Sequence, residues 1–245
     1  MDYEKQMKNF PLDKNLPSLS YIANNWPRTK PILKKYVISN FKKPDFYKLS
    51  IICLNELQIF RIKNFKTTLK KVSIKCSQNF VNNTYHDQHH FKTVLVLSCL
   101  LAKLVNLKKS DRLYLVLIAL THDVNHQGRR ILSIPYYQEK KSSTELHRIF
   151  FKNVLSYKRW NRIDKIFKST YFPVKPKNVN DDLEKIILDA DILASLIFGI
   201  DIGVKFAERL KHEIRFKNES WKLFQGFLEI LKSKSLYLKC SRDSC

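Results

Sequence analysis

His86 and His90 lie one helical turn apart, His122 and Asp123 are adjacent, and Asp191 follows in a third stretch. At 100° per residue, His86, His90, Val94, Leu97, Leu101 and Leu104 fall in one narrow sector, so both histidines continue a stripe that must face a core. His122 and Asp123 close a run that is apolar all round from 113 to 120, and such a helix is central. Asp191 falls at the edge of the stripe formed by Leu183, Ile186, Ile187, Ala190, Ala194 and Ile197, while Asp189 points well away. Three core-directed helices thus each bring ionisable side chains inward. Buried charges without partners are costly. A divalent metal shared between them removes that cost, and imidazole with carboxylate suits Zn, Fe, Mn or Mg.

The elements that must position these groups are helical. The first runs over about 85–105. The second runs over 111–125, capped by Ser110 or Asp111 and stopped before Gly128. A third starts at Ser142, with Glu145 three residues on in a capping-box pattern. A fourth starts at Asp181 in the same way. Upstream, 46–64 is apolar at helical spacing and 65–80 more weakly so. Residues 1–31 hold Pro11, Pro17, Pro27 and Pro31 and read as an irregular lead-in. Pro173 and Pro176 mark a loop. The expected architecture is all-α: one compact multi-helix domain over 32–240, with a metal pocket between central helices.

Composition supports this reading. The 245 residues are 44% hydrophobic, and four glycines leave no Gly-rich nucleotide loop. The five cysteines are odd in number, widely spaced and without a C-x-x-C pair, as expected of reduced thiols in a cytoplasmic protein. No apolar run is long enough to span a bilayer. The formal charge of +23 is mostly lysine spread along the chain. It is read as solvated faces that attract anions and bind RNA weakly at low salt. The oligomeric state is left open.

Four ordered motifs add a resemblance. Tyr85-His86-Asp87-Gln88-His89-His90 is similar to the Y-H-N-x-x-H motif of the cyclic-nucleotide phosphodiesterases. His122-Asp123-Val124-Asn125-His126-Gln127-Gly128 resembles their H-D-V-D-H-P-G, built on the adjacent pair that marks the HD superfamily of metal-dependent phosphohydrolases. Glu145-Leu146-His147 resembles their L-E-x-H, and Asp189-Ala190-Asp191-Ile192 their C-A-D-L. The resemblance implies a first metal held by His90, His122, Asp123 and Asp191. Asp123 would bridge to a second cation, and water activated between the two would attack phosphorus. His86 would be the general acid, Glu145 would orient His86 or a bound water, and Asn125 and His126 would stand around the second metal. Gln225 and Phe227 are the candidates for a base clamp, in a segment whose spacing is one residue short of the family's. The chain departs from the family at Asp87, Asn125, Gln127, Ile131 and Tyr171, where the family has Asn, Asp, Pro, Asn and Asp. The implied reaction is hydrolysis of a 3′,5′-cyclic nucleotide to the 5′-monophosphate. The alternatives are another HD-type activity, such as a nucleotidase or alarmone hydrolase, and a degenerate basic HD fold that binds RNA or an acidic partner.

Overall fold

The computed structural model describes residues 16–39, 44–60, 65–78, 83–128, 134–150, 156–171, 178–232 and 236–244. Ile131, Arg129, Arg130, Pro173 and Pro176 lie outside them. The described residues contain no β-strand and form twelve helices, so the all-α expectation holds. These are α1 (Leu19–Asn24), α2 (Lys30–Ser39), α3 (Phe46–Glu56), α4 (Lys66–Gln78), α5 (Gln88–Leu104), α6 (Lys109–Thr121), α7 (Tyr137–Ile149), α8 (Tyr157–Ser169), α9 (Asp182–Leu196), α10 (Ile200–Ile214), α11 (Ser220–Lys232) and α12 (Lys239–Arg242).

α5 is the axis of the molecule. Every residue from His90 to Ala102 is buried, because Val94 to Ala102 offers apolar surface on all sides. α5 packs along α9 and α6, and those three helices carry the candidate ligands. One core cluster runs from Leu16 to Leu238. A satellite cluster joins α11 to α10 through Leu196, Ala207 and Phe224. There Gly203 lies under the Phe224 ring, where a Cβ would come within 2.4 Å of a ring carbon. Only glycine lets the two helices approach this closely.

Several local expectations are corrected. The lead-in is not irregular throughout: Ser18 caps α1 by accepting the Tyr21 amide, and Leu19 and Ile22 are buried against the core. Pro17 and Pro27 flank this helix rather than interrupt it, and Pro31 lies in the first turn of α2. α3 ends at Glu56, before the expected limit at 64. α5 begins only at Gln88, so His86 precedes the helix instead of lying on its stripe. α6 starts at Lys109, with Asp111 in its first turn rather than at the cap. α7 starts five residues before Ser142, entered through Tyr136 in a left-handed conformation. Gln138, Glu139, Lys140 and Lys141 are all good helix formers, and their summed propensity outweighs the cap signal. Ser142 is instead buried and donates to the Val124 carbonyl at 2.9 Å. The cap at Asp181 is as expected, accepting the Leu183 amide at 3.0 Å. Asp189 is reversed: it is fully buried and accepts the Tyr237 and Leu238 amides at 2.8 Å each, fixing the C-terminal segment on α9. The described cysteines, Cys53, Cys76, Cys99 and Cys240, are free.

Arg162 of α8 ties α6 to α9. Its Nη1 and Nη2 reach Asp111 at 2.8 and 2.9 Å, and its Nε and Nη2 reach Asp181 at 2.6 and 2.8 Å. Arg162→Ala should cost about 1–2 kcal/mol in urea unfolding. The fork is bidentate, but its side chain is 38% exposed and therefore partly screened. Lysine should recover little of the loss, since it lacks the planar fork. Unchanged stability in the alanine variant would show the pairs to be ornamental.

Candidate metal centre

The N-terminal end of α5, the turn after α6 and the middle of α9 meet around one point. Asp87 caps α5 by accepting the His89 and His90 amides at 2.9 and 3.1 Å. Aspartate serves this position as well as the family's asparagine, and the Asp87 carboxylate is also paired with Arg209. Below α6, residues 122–125 form a turn in which Asn125 has φ 65°. Asparagine tolerates that left-handed conformation better than most residues. α7 braces the turn from outside: the Gln138 side-chain amide donates to the Asn125 carbonyl and accepts the Gln127 amide at 3.3 Å each.

The turn and the two helices bring four ligand atoms together. His90 Nε2 lies 3.2 Å from His122 Nε2, 3.3 Å from Asp191 Oδ1 and 3.6 Å from Asp123 Oδ2. His122 Nε2 lies 3.1 Å from Asp123 Oδ2 and 3.9 Å from Asp191 Oδ1. Metal bonds of about 2.1 Å set neighbouring donor atoms about 3.0–3.4 Å apart, so these residues fit a divalent cation. The surrounding contacts agree. His122 Nδ1 donates to the Ala119 carbonyl at 2.9 Å, which leaves Nε2 with a lone pair turned inward.

Electrostatics point the same way. Burial lowers His90, but the hydrogen bonds and charges of Asp123 and Asp191 outweigh it and hold its pKa up to about 10. Burial likewise opposes His122, and Asp123 overcomes it to raise that group. Asp123, despite a burial effect in the other direction, is held well below the usual carboxylate range by His122 and His86. Protons on the imidazoles do here what a cation would do: they neutralise two carboxylates in a water-poor pocket.

His86 stands beside this cluster, with Nε2 3.7 Å from Asp123 Oδ2. Its Nδ1 makes a very close contact with Glu213 Oε1, and its ring stacks on His126 at 3.8 Å. Sequence reasoning missed Glu213. Its side chain is fully buried, and Oε2 accepts the Tyr85 and His86 amides at 2.6 and 2.9 Å. The available signal was its place on α10, in line with Ile202 and Phe206 on the buried face. His126 Nδ1 lies 3.3 Å from the same Glu213 oxygen. His86, His126 and Glu213 form a second group able to hold a metal ion.

The remaining candidates are placed differently. Glu145 is paired with Arg148 at 2.7 Å and Lys75 at 3.7 Å, and it bonds the Asn125 side chain. The oxygen beside His86 belongs to Glu213 instead. Glu145, Asn125, His126, Tyr137 and Lys140 line a cleft of about 610 Å³ at the edge of the centre. Gln225 is exposed on α11, and Phe227 packs in the satellite cluster beside Ile192. Neither lines that cleft. Tyr171 packs at a tilt against Tyr136, with ring centroids 4.8 Å apart.

Glu139 is a further group, one that no motif marks. Its Oε2 is buried without a hydrogen-bond partner. Burial, with smaller contributions from Asp123 and Asp191, pushes its carboxyl up to about 7, against opposing pulls from its own backbone amide and His126. The folded protein therefore keeps a proton that the unfolded chain has released. Between about pH 4.5 and 7 this group lowers stability as pH rises, and the penalty stays in place above 7. In chelator-treated protein, Glu139→Gln should be more stable than wild type at pH 8 by about 1–2 kcal/mol, a figure reduced for partial exposure, and nearly equal to it at pH 4.5. Urea melts at the two pH values check this; a gain of the same size at both would contradict it.

No protein-family model matches the sequence, and neither does any curated protein. Among the described residues no helix is long and apolar enough to cross a membrane. Among solved structures, the chain is similar to the phosphodiesterase domain of the RhoPDE fusion protein from the choanoflagellate Salpingoeca rosetta. The match has 18% identity and a TM-score of 0.56 over 83% of this chain and 76% of that one. At this identity the likeness is one of fold: the chain folds as an all-helical, phosphodiesterase-like domain.

Proposed function

We propose that this protein is a metal-dependent phosphodiester hydrolase, with a 3′,5′-cyclic nucleotide as the favoured substrate and the 5′-monophosphate as product. The observation that carries the reading is a half-buried imidazole, His86, poised between the four-ligand cluster and a buried carboxylate. His90, His122, Asp123 and Asp191 would hold a divalent cation, which would supply charge to phosphoryl oxygens and a water of lowered pKa. The chain does the rest. His122 keeps its lone pair inward through Ala119. Water oxygen bonds to phosphorus, the bond from phosphorus to the ribose 3′-oxygen breaks, and His86 Nε2 gives that oxygen its proton. Glu213 accepts a hydrogen bond from Nδ1 and stabilises the charged ring, as a carboxylate does behind other catalytic histidines. Glu145, tied to Asn125, acts on the cleft through Asn125 rather than through His86.

Lys140 at the cleft and the net charge of +23 favour an anionic ligand. Gln225 and Phe227 are the proposed contacts for the base. A cytoplasmic setting fits the free thiols. Purified protein with Mn or Mg should turn over cyclic nucleotides faster than nucleoside monophosphates or linear polyphosphates. Preference for the linear substrates would favour a nucleotidase-like activity. Metal-free protein with no turnover, but with RNA affinity falling steeply with salt, would replace the hydrolase reading by a binding one.

A further inference from the structure

His86 faces two ways. Its Nε2 looks toward Asp123, while its Nδ1 meets Glu213. On the Glu213 side, His126 brings its own Nδ1 to 3.3 Å from the same carboxylate oxygen. One ligand atom from each of the three residues lies within 4.8 Å of the others. Two imidazoles and a carboxylate are a zinc-binding set that leaves a fourth position open.

Neighbouring groups hold this trio in place. The Tyr85 and His86 amides occupy Glu213 Oε2 at 2.6 and 2.9 Å and turn Oε1 toward the two rings. The Asn83 side-chain amide holds the His126 carbonyl at 3.1 Å. None of these bonds has to break for a cation to enter, but the Gly128 amide donates to His126 Nδ1 at 3.1 Å, and that bond gives way when the nitrogen becomes a ligand. Bonds of about 2.0–2.2 Å need donor atoms about 3.2–3.6 Å apart. The separation of His126 from Glu213 already meets that requirement, while the His126 ring has to turn its Nδ1 from Gly128 and the His86 ring has to draw back from Glu213 and from its stack on His126.

We propose that His86, His126 and Glu213 form a separate inhibitory site for zinc or a similar borderline divalent cation. The inhibitory part rests on the acid role given to His86 above. An entering ion bonds to His86 Nδ1 and sends the proton shared with Glu213 to solvent. A ring metallated at Nδ1 carries at most one proton, on Nε2, and cannot form the imidazolium that releases a proton readily. Magnesium and manganese prefer carboxylate and water oxygens, so they leave this imidazole-rich trio empty while serving the cluster around His90. Zinc in excess fills both.

The direct test uses wild-type protein equilibrated with zinc, with anomalous scattering recorded at the zinc edge. The expected result is a peak among His86, His126 and Glu213, separate from the one at His90, His122, Asp123 and Asp191. No peak at the trio under saturating zinc overturns the site. Zinc counting by mass spectrometry on folded variants gives a second readout: Glu213→Gln should bind one ion fewer than wild type, and Asp123→Ala should keep the trio's ion. Equal counts in Glu213→Gln and wild type overturn it again. In the manganese-loaded enzyme, zinc should lower turnover at least tenfold as the trio fills, and zinc at the trio with turnover unchanged overturns the inhibitory role. Failure of the hydrolase reading would instead show as no turnover with any phosphodiester, whatever the zinc count.

Discussion

Asp123→Ala should lose bound metal and, with it, phosphodiester turnover. Asp123 Oδ2 is the hub of the cluster, 3.1 Å from His122, 3.6 Å from His90 and 3.7 Å from His86. Groups that only brace a metal ligand are worth about 10–100-fold in affinity. Removing a ligand that three imidazoles share should therefore cost more than about a hundredfold in affinity for the ion at His90. Turnover should fall at least in proportion, because the ion held there would supply the activated water. The fold should survive, since Asp123 lies in a turn and packs no core surface. In metal-free protein the change leaves His90 and His122 with Asp191 as their remaining acidic partner, so both become harder to protonate. Metal analysis, circular dichroism and a cyclic-nucleotide assay on one preparation separate these effects. A folded Asp123→Ala protein that keeps its ion at His90 and its turnover would remove the centre from the mechanism.

What could be read in the sequence follows from periodicity. His90 and Asp191 lie on or beside stripes that must be buried, and His122-Asp123 closes a helix with no polar face; the structure brings all four together. Periodicity was blind where the chain leaves a helix. His86 fits the α5 stripe by angle, yet it sits before the cap at Asp87, held by Glu213 rather than by helical geometry. Glu213 could be read only as an acid on the buried face of its helix, because no motif surrounds it and the backbone amides it accepts, of Tyr85 and His86, lie well over a hundred residues earlier in the chain. Ser142 and Glu145 misled because a capping box is a weak signal beside a run of strong helix formers. Asp189 misled because its partners are backbone amides near the C-terminus, which no side-chain pattern announces.

The second large effect is expected at Glu213. Glu213→Gln should lower turnover of a cyclic nucleotide about a hundredfold, within the range general acids supply. The amide keeps the shape and can still accept from one neighbour, but it cannot stabilise a charged His86 ring. Burial and His126 already lower the His86 pKa, and Glu213 is one of the groups pulling it back up. Without that pull the ring holds its proton less well. The alkaline limb of the rate profile should therefore move to lower pH, because the acid must be protonated to act. A merely structural role for Glu213 would lower all substrates alike. An acid role would spare those whose leaving group needs no proton, so bis-p-nitrophenyl phosphate should lose less than about tenfold. His86→Ala should show the same split, and adding Glu213→Gln to it should cost almost nothing more, because two residues that act as one unit are lost together. Losses that multiply in the double variant would mean that the two side chains work apart, and the proton would then have to come from elsewhere.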